Sequence, residues 1–288
     1  MSMHVFGRDL SSVWADVLEE VNASGGGTAT NVMVAIAAPQ DGDEAAVTEV
    51  VDRVLRSHDS HGVFTVANTL FPVALYNDPG FGWAPELPVP AIGQLDAAAE
   101  DLYSAYLESL PTLQRVPANR AGTYFSRMIS WPGKTSTGAN QLAQRIRALR
   151  SDHAQGRATS NASDIAVAGE ADGAGGVLEE YVVSDTRTRG FPCLVHVDIS
   201  VRAGKLSLLA VYRHWHLITR GYGNLIGLAR LQEFLCQQTG YEHGELAVAA
   251  GHANAEHADY GGRRGVGALL AEARSALERD ADAVREPA

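Results

Sequence analysis

The residue best placed for covalent chemistry is a cysteine directly after a proline, at the head of an apolar run. Gly190-Phe191-Pro192-Cys193 leads into Leu194–Val201. Proline fixes its own φ and lacks a backbone donor, so it gives Cys193 a rigid approach. The reacting form of cysteine is the thiolate, and positive charge nearby is what lowers its pKa. Four further motifs follow in order: Gly204-Lys205-Leu206-Ser207, Tyr212-Arg213, Gly223-Asn224, and His252 paired with His257 across four residues. Arg213 is the cation the sequence offers. The Asn224 amide carries both a donor and an acceptor. His252 and, upstream, Tyr124 are further titratable side chains.

Each residue also has a plainer reading. Cys193 alone reads more often as a small buried hydrophobe than as a nucleophile. Cys236 lies among leucines on a helix and reads as structural. Arg213 alone reads as a surface ion-pair partner, Asn224 as a helix cap and Tyr124 as a core tyrosine. His214-Trp215-His216 puts two histidines on one side of a strand. The sequence places no third ligand beside them, so no metal site is expected.

These residues need a scaffold, and hydrophobic spacing outlines one. Residues 8–22 have helical spacing, with Val13, Trp14, Val17, Leu18 and Val21 in phase, and Gly25-Gly26-Gly27 ends the run. Asn31–Ala38 reads as a buried strand. Asp43–Ser57 is an amphipathic helix with Val47, Val50, Val51, Val54 and Leu55 on its stripe. Ala67–Leu75 is apolar, and the proline-rich stretch 77–92 is loop or edge. Leu95–Leu110 and Asn140–Arg150 are helical, the latter with Leu142, Ile146 and Leu149 in phase. Residues 151–176, rich in Ala, Gly, Ser and Asp, read as a solvated loop or a flexible insertion. Tyr181–Val183, Leu194–Val201 and Lys205–Tyr212 read as strands, the last two joined by a turn at Ala203-Gly204. Asn224–Gln238 is a helix with Leu225, Leu228, Leu231 and Leu235 aligned, closed by Thr239-Gly240. Leu246–Ala250 is a short strand, and 265–288 a C-terminal helical tail that frays at its end. This interleaving predicts a mixed α/β layered fold.

Bulk composition agrees. The chain has 288 residues, 45% hydrophobic and 20% charged, enough to bury a large core without staples. A net charge of -11 argues against a broad nucleic-acid surface. It leaves room for one anionic ligand in a local basic pocket. Two widely spaced cysteines form neither a disulfide framework nor a CxxC metal site. No apolar window reaches the roughly 20 residues that span a bilayer. The expected setting is reducing and cytoplasmic.

In order and spacing, these motifs resemble the thymidylate synthase and pyrimidine hydroxymethylase superfamily. The likeness covers roughly residues 190–260: Pro-Cys, the Gly-Lys-Leu-Ser hairpin, the arginine, the asparagine at a helix start and the His-x4-His stretch. The intervals from Cys193 to Gly204, Arg213 and Asn224 equal the family's without a gap. Tyr124 and Trp131, in Thr-Tyr-Phe-Ser-Arg-Met-Ile-Ser-Trp-Pro, keep the spacing of the family's active-site tyrosine and its Trp-Pro. The resemblance implies Cys193 adding to C6 of a pyrimidine, which makes C5 nucleophilic toward a one-carbon unit from 5,10-methylenetetrahydrofolate. It implies Arg213 at the thiolate and the substrate phosphate, and Asn224 on the pyrimidine amide edge. His252 would fall in the proton network after a two-residue deletion; the ungapped register places Asn254 there.

The departures bear on substrate. The family's early phosphate-binding arginine falls on Ser24, and its catalytic glutamate on Asn68, which cannot act as a general base at neutral pH. The aspartate that holds the pterin falls on His216. The paired arginines that reach across the dimer fall on Glu179-Glu180, where carboxylates would repel a phosphate; Arg187 and Arg189 stand close by in sequence as substitutes. The expectation is one thymidylate synthase-like domain over residues 1–288, a mixed sheet covered by helices that dimerises through its sheet face, partly by Val195–Val201 and Leu206–Val211. Its expected activity is folate-dependent methyl or hydroxymethyl transfer to C5 of a pyrimidine nucleotide, nucleoside or related ring, in specialised metabolism. Cys193, Tyr124 and His252 would be catalytic; Arg213, Asn224, His214 and Asn68 would bind substrate; His216 and Trp131 would contact the cofactor. Two alternatives stand beside it: a folate-independent enzyme using Cys193 on another unsaturated substrate, and a silent dimeric binding protein. No nucleic-acid or membrane partner is expected.

Overall fold

The computed structural model describes residues 2–41, 45–120, 122–131, 138–157, 163–167 and 192–285. The expected strand Tyr181–Val183, the pair Glu179-Glu180, Arg187, Arg189 and Gly190-Phe191 lie outside these residues. In chain order the elements are β1 (Met3–Gly7), α1 (Leu10–Ala23), β2 (Thr28–Ile36), α2 (Ala45–Ser57), α3 (Val63–Ala67), α4 (Val89–Leu113), α5 (Tyr124–Ile129) and α6 (Gln141–Ala154). There follow β3 (Ser163–Ala166), β4 (Leu194–Arg202), β5 (Lys205–His216), a π-helical turn (Leu217–Gly221), α7 (Tyr222–Thr239), β6 (Glu242–Asn254) and α8 (Gly262–Arg285).

The strands form one six-stranded sheet in the order β1-β2-β6-β5-β4-β3. β1 runs parallel to β2, β2 antiparallel to β6, and β3 antiparallel to β4. The fold is thus α/β with a mixed sheet. Between β4 and β5 the chain turns at Ala203 and Gly204, with φ of 51° and 78°. Two successive positive φ values match the right-handed twist of the flanking strands.

Packing divides the chain into two compact units, Met1–Asn68 with Val211–Ala229 and Glu245–Ala288, and Thr69–Ala210 with Arg230–Gly244. In the first, α1 buries Val13, Trp14, Val17, Leu18 and Val21 completely, so the stripe predicted for residues 8–22 is its core face. Asp9 caps this helix, accepting from the Ser12 N–H at 2.8 Å. The Trp14 indole donates to the Leu217 carbonyl at 2.8 Å, and the Ser11 and Tyr222 hydroxyls lie 2.7 Å apart. These bonds tie α1 to the turn that leads into α7. The second unit packs around a cluster of aromatic rings. Phe71 meets Phe125 edge-on at 5.8 Å and Phe234 at 5.2 Å. Such tilted and edge-on arrangements add to the area these rings bury.

Two elements depart from the sequence reading. The 151–176 stretch completes α6 at its start and contains β3, which pairs with β4 through Ile165↔Val197. Ile165 and Val167 are fully buried. Two apolar residues in so short a segment leave no periodicity to read. At the N-terminus, β1 buries Val5 while Phe6 stays 70% exposed; a five-residue edge strand with one buried side chain is equally silent. Other elements run longer than their patterns: β6 has 13 residues, and the tail helix begins at Gly262. No helix among the described residues is long and apolar enough to cross a membrane.

Candidate functional site

Of the residues singled out by sequence, Cys193, Tyr124 and Trp131 belong to the second unit; Asn68, Arg213, His214, His216, Asn224 and His252 belong to the first. In the second unit, Cys193 is half-buried and immediately precedes β4. Tyr124 opens α5, whose N-terminus is held by a capping box between Thr123 and Ser126. That placement brings its hydroxyl within 3.4 Å of the Leu194 N–H, which donates to it. The sequence separates Tyr124 from Cys193 widely, yet this bond sets the phenol beside the residue that follows the cysteine. Trp131 is buried at 2% exposure, and its backbone pairs with Ala139. Neither cysteine is in a disulfide among the described residues; burial pushes the Cys236 thiol up to about 12, which makes it inert.

In the first unit the end of β5 and the end of β6 gather three imidazoles. His214 and His216 stack at 4.2 Å, as their i, i+2 spacing on a strand requires, and His252 lies 4.6 Å from His214. Burial, then the neighbouring His216 and His252, lower the His214 pKa from 6.5 to about 4. The His214 ring is therefore neutral at physiological pH. Its Nε2 is buried and has no hydrogen-bond partner among the described residues. Stacked rings turn faces rather than nitrogens toward each other, and no group among the described residues is arranged to hold a metal ion.

A residue that sequence reasoning missed organises this corner. Glu256 is 5% exposed. Its Oε2 accepts from the N–H groups of Ile218 at 2.8 Å and Thr219 at 2.9 Å, and its Oε1 from the Thr219 hydroxyl at 2.7 Å. The same Oε1 lies 3.6 Å from His216 Nδ1. A buried carboxylate thus satisfies the π-helical turn between His216 and α7, where backbone donors would otherwise be orphaned. Glu256 has φ 55°, and its N–H donates to Asn254 Oδ1 at 2.7 Å. The only sequence signal was position: a carboxylate inside the His-x4-His stretch.

The two histidines of that stretch differ in role. His252 joins the imidazole cluster. His257 bonds Asn22 at 2.7 Å, and a Cβ on Gly27 would lie 2.5 Å from its ring; it anchors the loop. Asn224 is 3% exposed in the first turn of α7. α3 packs against that turn so closely that a Cβ on Gly223 would lie 2.6 Å from the Val63 carbonyl oxygen. Asn68 terminates α3, and its Oδ1 is buried without a partner among the described residues. Arg213 is half-buried on β5. Ser24 ends α1, its hydroxyl donating to the Glu20 carbonyl at 3.0 Å. Arg263 donates to the Ala23 and Ser24 carbonyls at 2.6 and 3.1 Å. A guanidinium from α8 therefore reaches the turn where the resembled family carries its own arginine.

No family model matches the chain. A protein of Methanothermobacter marburgensis described as "Putative thymidylate synthase" is 31% identical over 64 residues, which cover 22% of this chain and 29% of that protein. The chain thus spans under a third of the length of this relative. The likeness supports a distant relationship to that protein at most.

Proposed function

We propose that the protein is a transferase of the thymidylate synthase type, which adds Cys193 to C6 of a pyrimidine or related ring and places a one-carbon unit on C5. The ungapped register from Cys193 through Arg213 to Asn224 carries this reading. The 31% identity over 64 residues to a protein described as "Putative thymidylate synthase" is in keeping with it. So is the Tyr124 hydroxyl on the residue after the cysteine, 3.4 Å from its N–H. The thiolate would attack C6 and the electron pair pass to C5, which bonds the incoming one-carbon unit; loss of the C5 proton would release the carrier, and addition of water, or of a hydride supplied by the carrier, to the new carbon would expel the thiolate and restore the ring. In this reading Asn224 orients the ring by its amide edge, and Tyr124 and His252 carry protons.

Methylenetetrahydrofolate would supply the one-carbon unit, with Trp131 and His216 at the cofactor positions. His216 replaces a carboxylate there, and that substitution favours a second reading, folate-independent chemistry by the same thiol. The substrate would carry less negative charge than a nucleoside monophosphate, because Glu179-Glu180 stand at the positions of paired arginines. The working form would be a homodimer joined through the sheet. The outward face of the first unit supports this with Phe6 at 70% and Met33 at 37% exposure, beside the half-buried Ala35, Ala247 and Ala249.

Tritium release from C5 of labelled pyrimidine nucleosides and nucleotides tests the covalent step, since exchange requires addition at C6. Release that Cys193→Ser abolishes supports the reading. Absence of release from every pyrimidine offered, with and without folate, contradicts it. Calorimetric titration with dUMP, CMP and their free nucleosides tests the charge argument, which micromolar binding of dUMP alone would overturn.

A further inference from the structure

We propose that β1 is a self-association edge, where β1 of a second copy of this chain pairs antiparallel about a two-fold axis through Val5. The contact uses backbone groups in the plane of the sheet. It is separate from the sheet face and from Cys193, and it does not rest on the reading above.

β1 is an outermost strand, paired in parallel with β2 through Val5↔Val34 and Gly7↔Ile36. The Gly7 carbonyl accepts from the Ala37 N–H at 3.0 Å, which turns Gly7 toward β2. Along a strand the N–H and C=O groups of successive residues alternate between its two sides. Met3 and Val5 therefore face β2 with Gly7, and His4 and Phe6 present their backbone groups to the open side. No group among the described residues bonds them there.

The opposite edge shows what closing a strand requires. The Val167 N–H donates to the Val195 carbonyl at 3.0 Å, so Asp164 and Ala166 face away from β4. Gln141 of α6 donates to the Ala166 carbonyl at 2.8 Å and accepts from the Ala166 N–H at 3.0 Å. Arg145 Nε donates to the Asp164 carbonyl at 2.9 Å. β1 has no such cover. Between Ser2 and Gly7 it also lacks the lysine or proline that commonly keeps an edge from pairing.

The open groups select the partner. They need an extended chain with the same alternation, and β1 itself supplies one. Pairing about Val5 sets His4 opposite the partner's Phe6 and Phe6 opposite the partner's His4. Each is a hydrogen-bonded pair that exchanges both N–H···O bonds. Within β1, a register that sets His4 against His4 or Phe6 against Phe6 makes one such pair only. The pairing also lays an imidazole beside a phenyl ring and opposes no acidic or basic side chains of like charge. The symmetry is that of an isologous contact, which closes on itself. A five-residue strand falls well short of the roughly 1,200 Å² buried in stable complexes, so the association is reversible and grows with concentration.

Amide hydrogen exchange of the full chain, read residue by residue by NMR in dilute and in concentrated solution, tests the edge. The His4 and Phe6 amides should exchange about tenfold more slowly in the concentrated sample, and Val5, already bonded to β2, should not change. Sedimentation equilibrium should show an average mass that rises over the same range. His4→Pro removes an outward donor and spares the bonds to β2, as proline on an edge does; it should abolish the rise. Met33→Glu, on the sheet face, should leave the rise in place. His4 and Phe6 amides that exchange equally fast at both concentrations overturn the proposal, whether the edge stays open or takes a strand only from another protein. That result needs no variant to fold. A rise in mass that His4→Pro leaves unchanged also overturns it. Neither outcome bears on the covalent chemistry of Cys193.

Discussion

Replacing Glu256 by alanine removes the one acceptor of three hydrogen bonds at the entry to α7. Two of the donors are backbone N–H groups, and Ile218 is 1% exposed, so water does not reach it freely. Leaving a buried donor unpaired costs about 1–3 kcal/mol. The Thr219 hydroxyl is part-buried and can rotate toward solvent, so it adds little. Alanine shares the steric demands of glutamate at φ 55°, so backbone strain cancels in the comparison. Glu256→Ala should therefore destabilise the chain by about 3–5 kcal/mol. Glu256→Gln keeps an acceptor for the backbone donors and forfeits mainly the charge, which about halves the strength of each bond. Its cost should be about 1–2 kcal/mol. Urea unfolding, followed by far-ultraviolet circular dichroism and by tryptophan fluorescence, reads both values if the transitions coincide. A loss below about 1 kcal/mol for Glu256→Ala, at unchanged m, would refute the claim that this carboxylate holds the turn.

Other expectations follow from the same structure. His214 has its folded pKa lowered to about 4, so between pH 6.5 and 4 the unfolded chain binds a proton that the folded chain does not. Stability should fall as pH drops through that window, by no more than about 1–2 kcal/mol given partial solvent screening, and His214→Gln should flatten the dependence. Gly240 ends α7 at φ 75°, and an added Cβ would collide with the Trp83 carbonyl oxygen. Gly240→Ala should thus cost at least about 2 kcal/mol, measured by the shift in urea midpoint. Tyr222→Phe removes the bond to Ser11 and should cost about 1 kcal/mol in the same assay. Light scattering should give the wild type the mass of a dimer, and Phe6→Glu should reduce it to that of a monomer with the fold intact; a monomeric wild type, or a dimer unchanged by the substitution, would remove the sheet face from the account.

How much of this was legible in sequence depended on the range of each signal. The stripes of α1, α6 and α7 were visible because helical periodicity is local, and Leu142, Ile146, Leu149, Leu225, Leu228, Leu231 and Leu235 are all buried as their spacing implied. β3 and β1 were silent because their burial is decided by the strand each pairs with. The histidine cluster was half legible: alternation put His214 and His216 together, but only the sheet order, with β6 beside β5, brings His252 to them. Glu256 was invisible because its role lies in the backbone donors of a turn nearly forty residues earlier. Such a long-range bond leaves no spacing to read. The bond between Tyr124 and Leu194 belongs to the same class.

The central claim is that Cys193 is a nucleophile toward an electron-poor ring. Incubating the chain with 5-fluoropyrimidine nucleosides and nucleotides, with and without methylenetetrahydrofolate, and mapping modified peptides by mass spectrometry tests it directly. The account predicts an adduct on the peptide containing Cys193, absent in Cys193→Ser and absent from Cys236. An unmodified Cys193 under every combination, in a chain that binds the same ring, would contradict it.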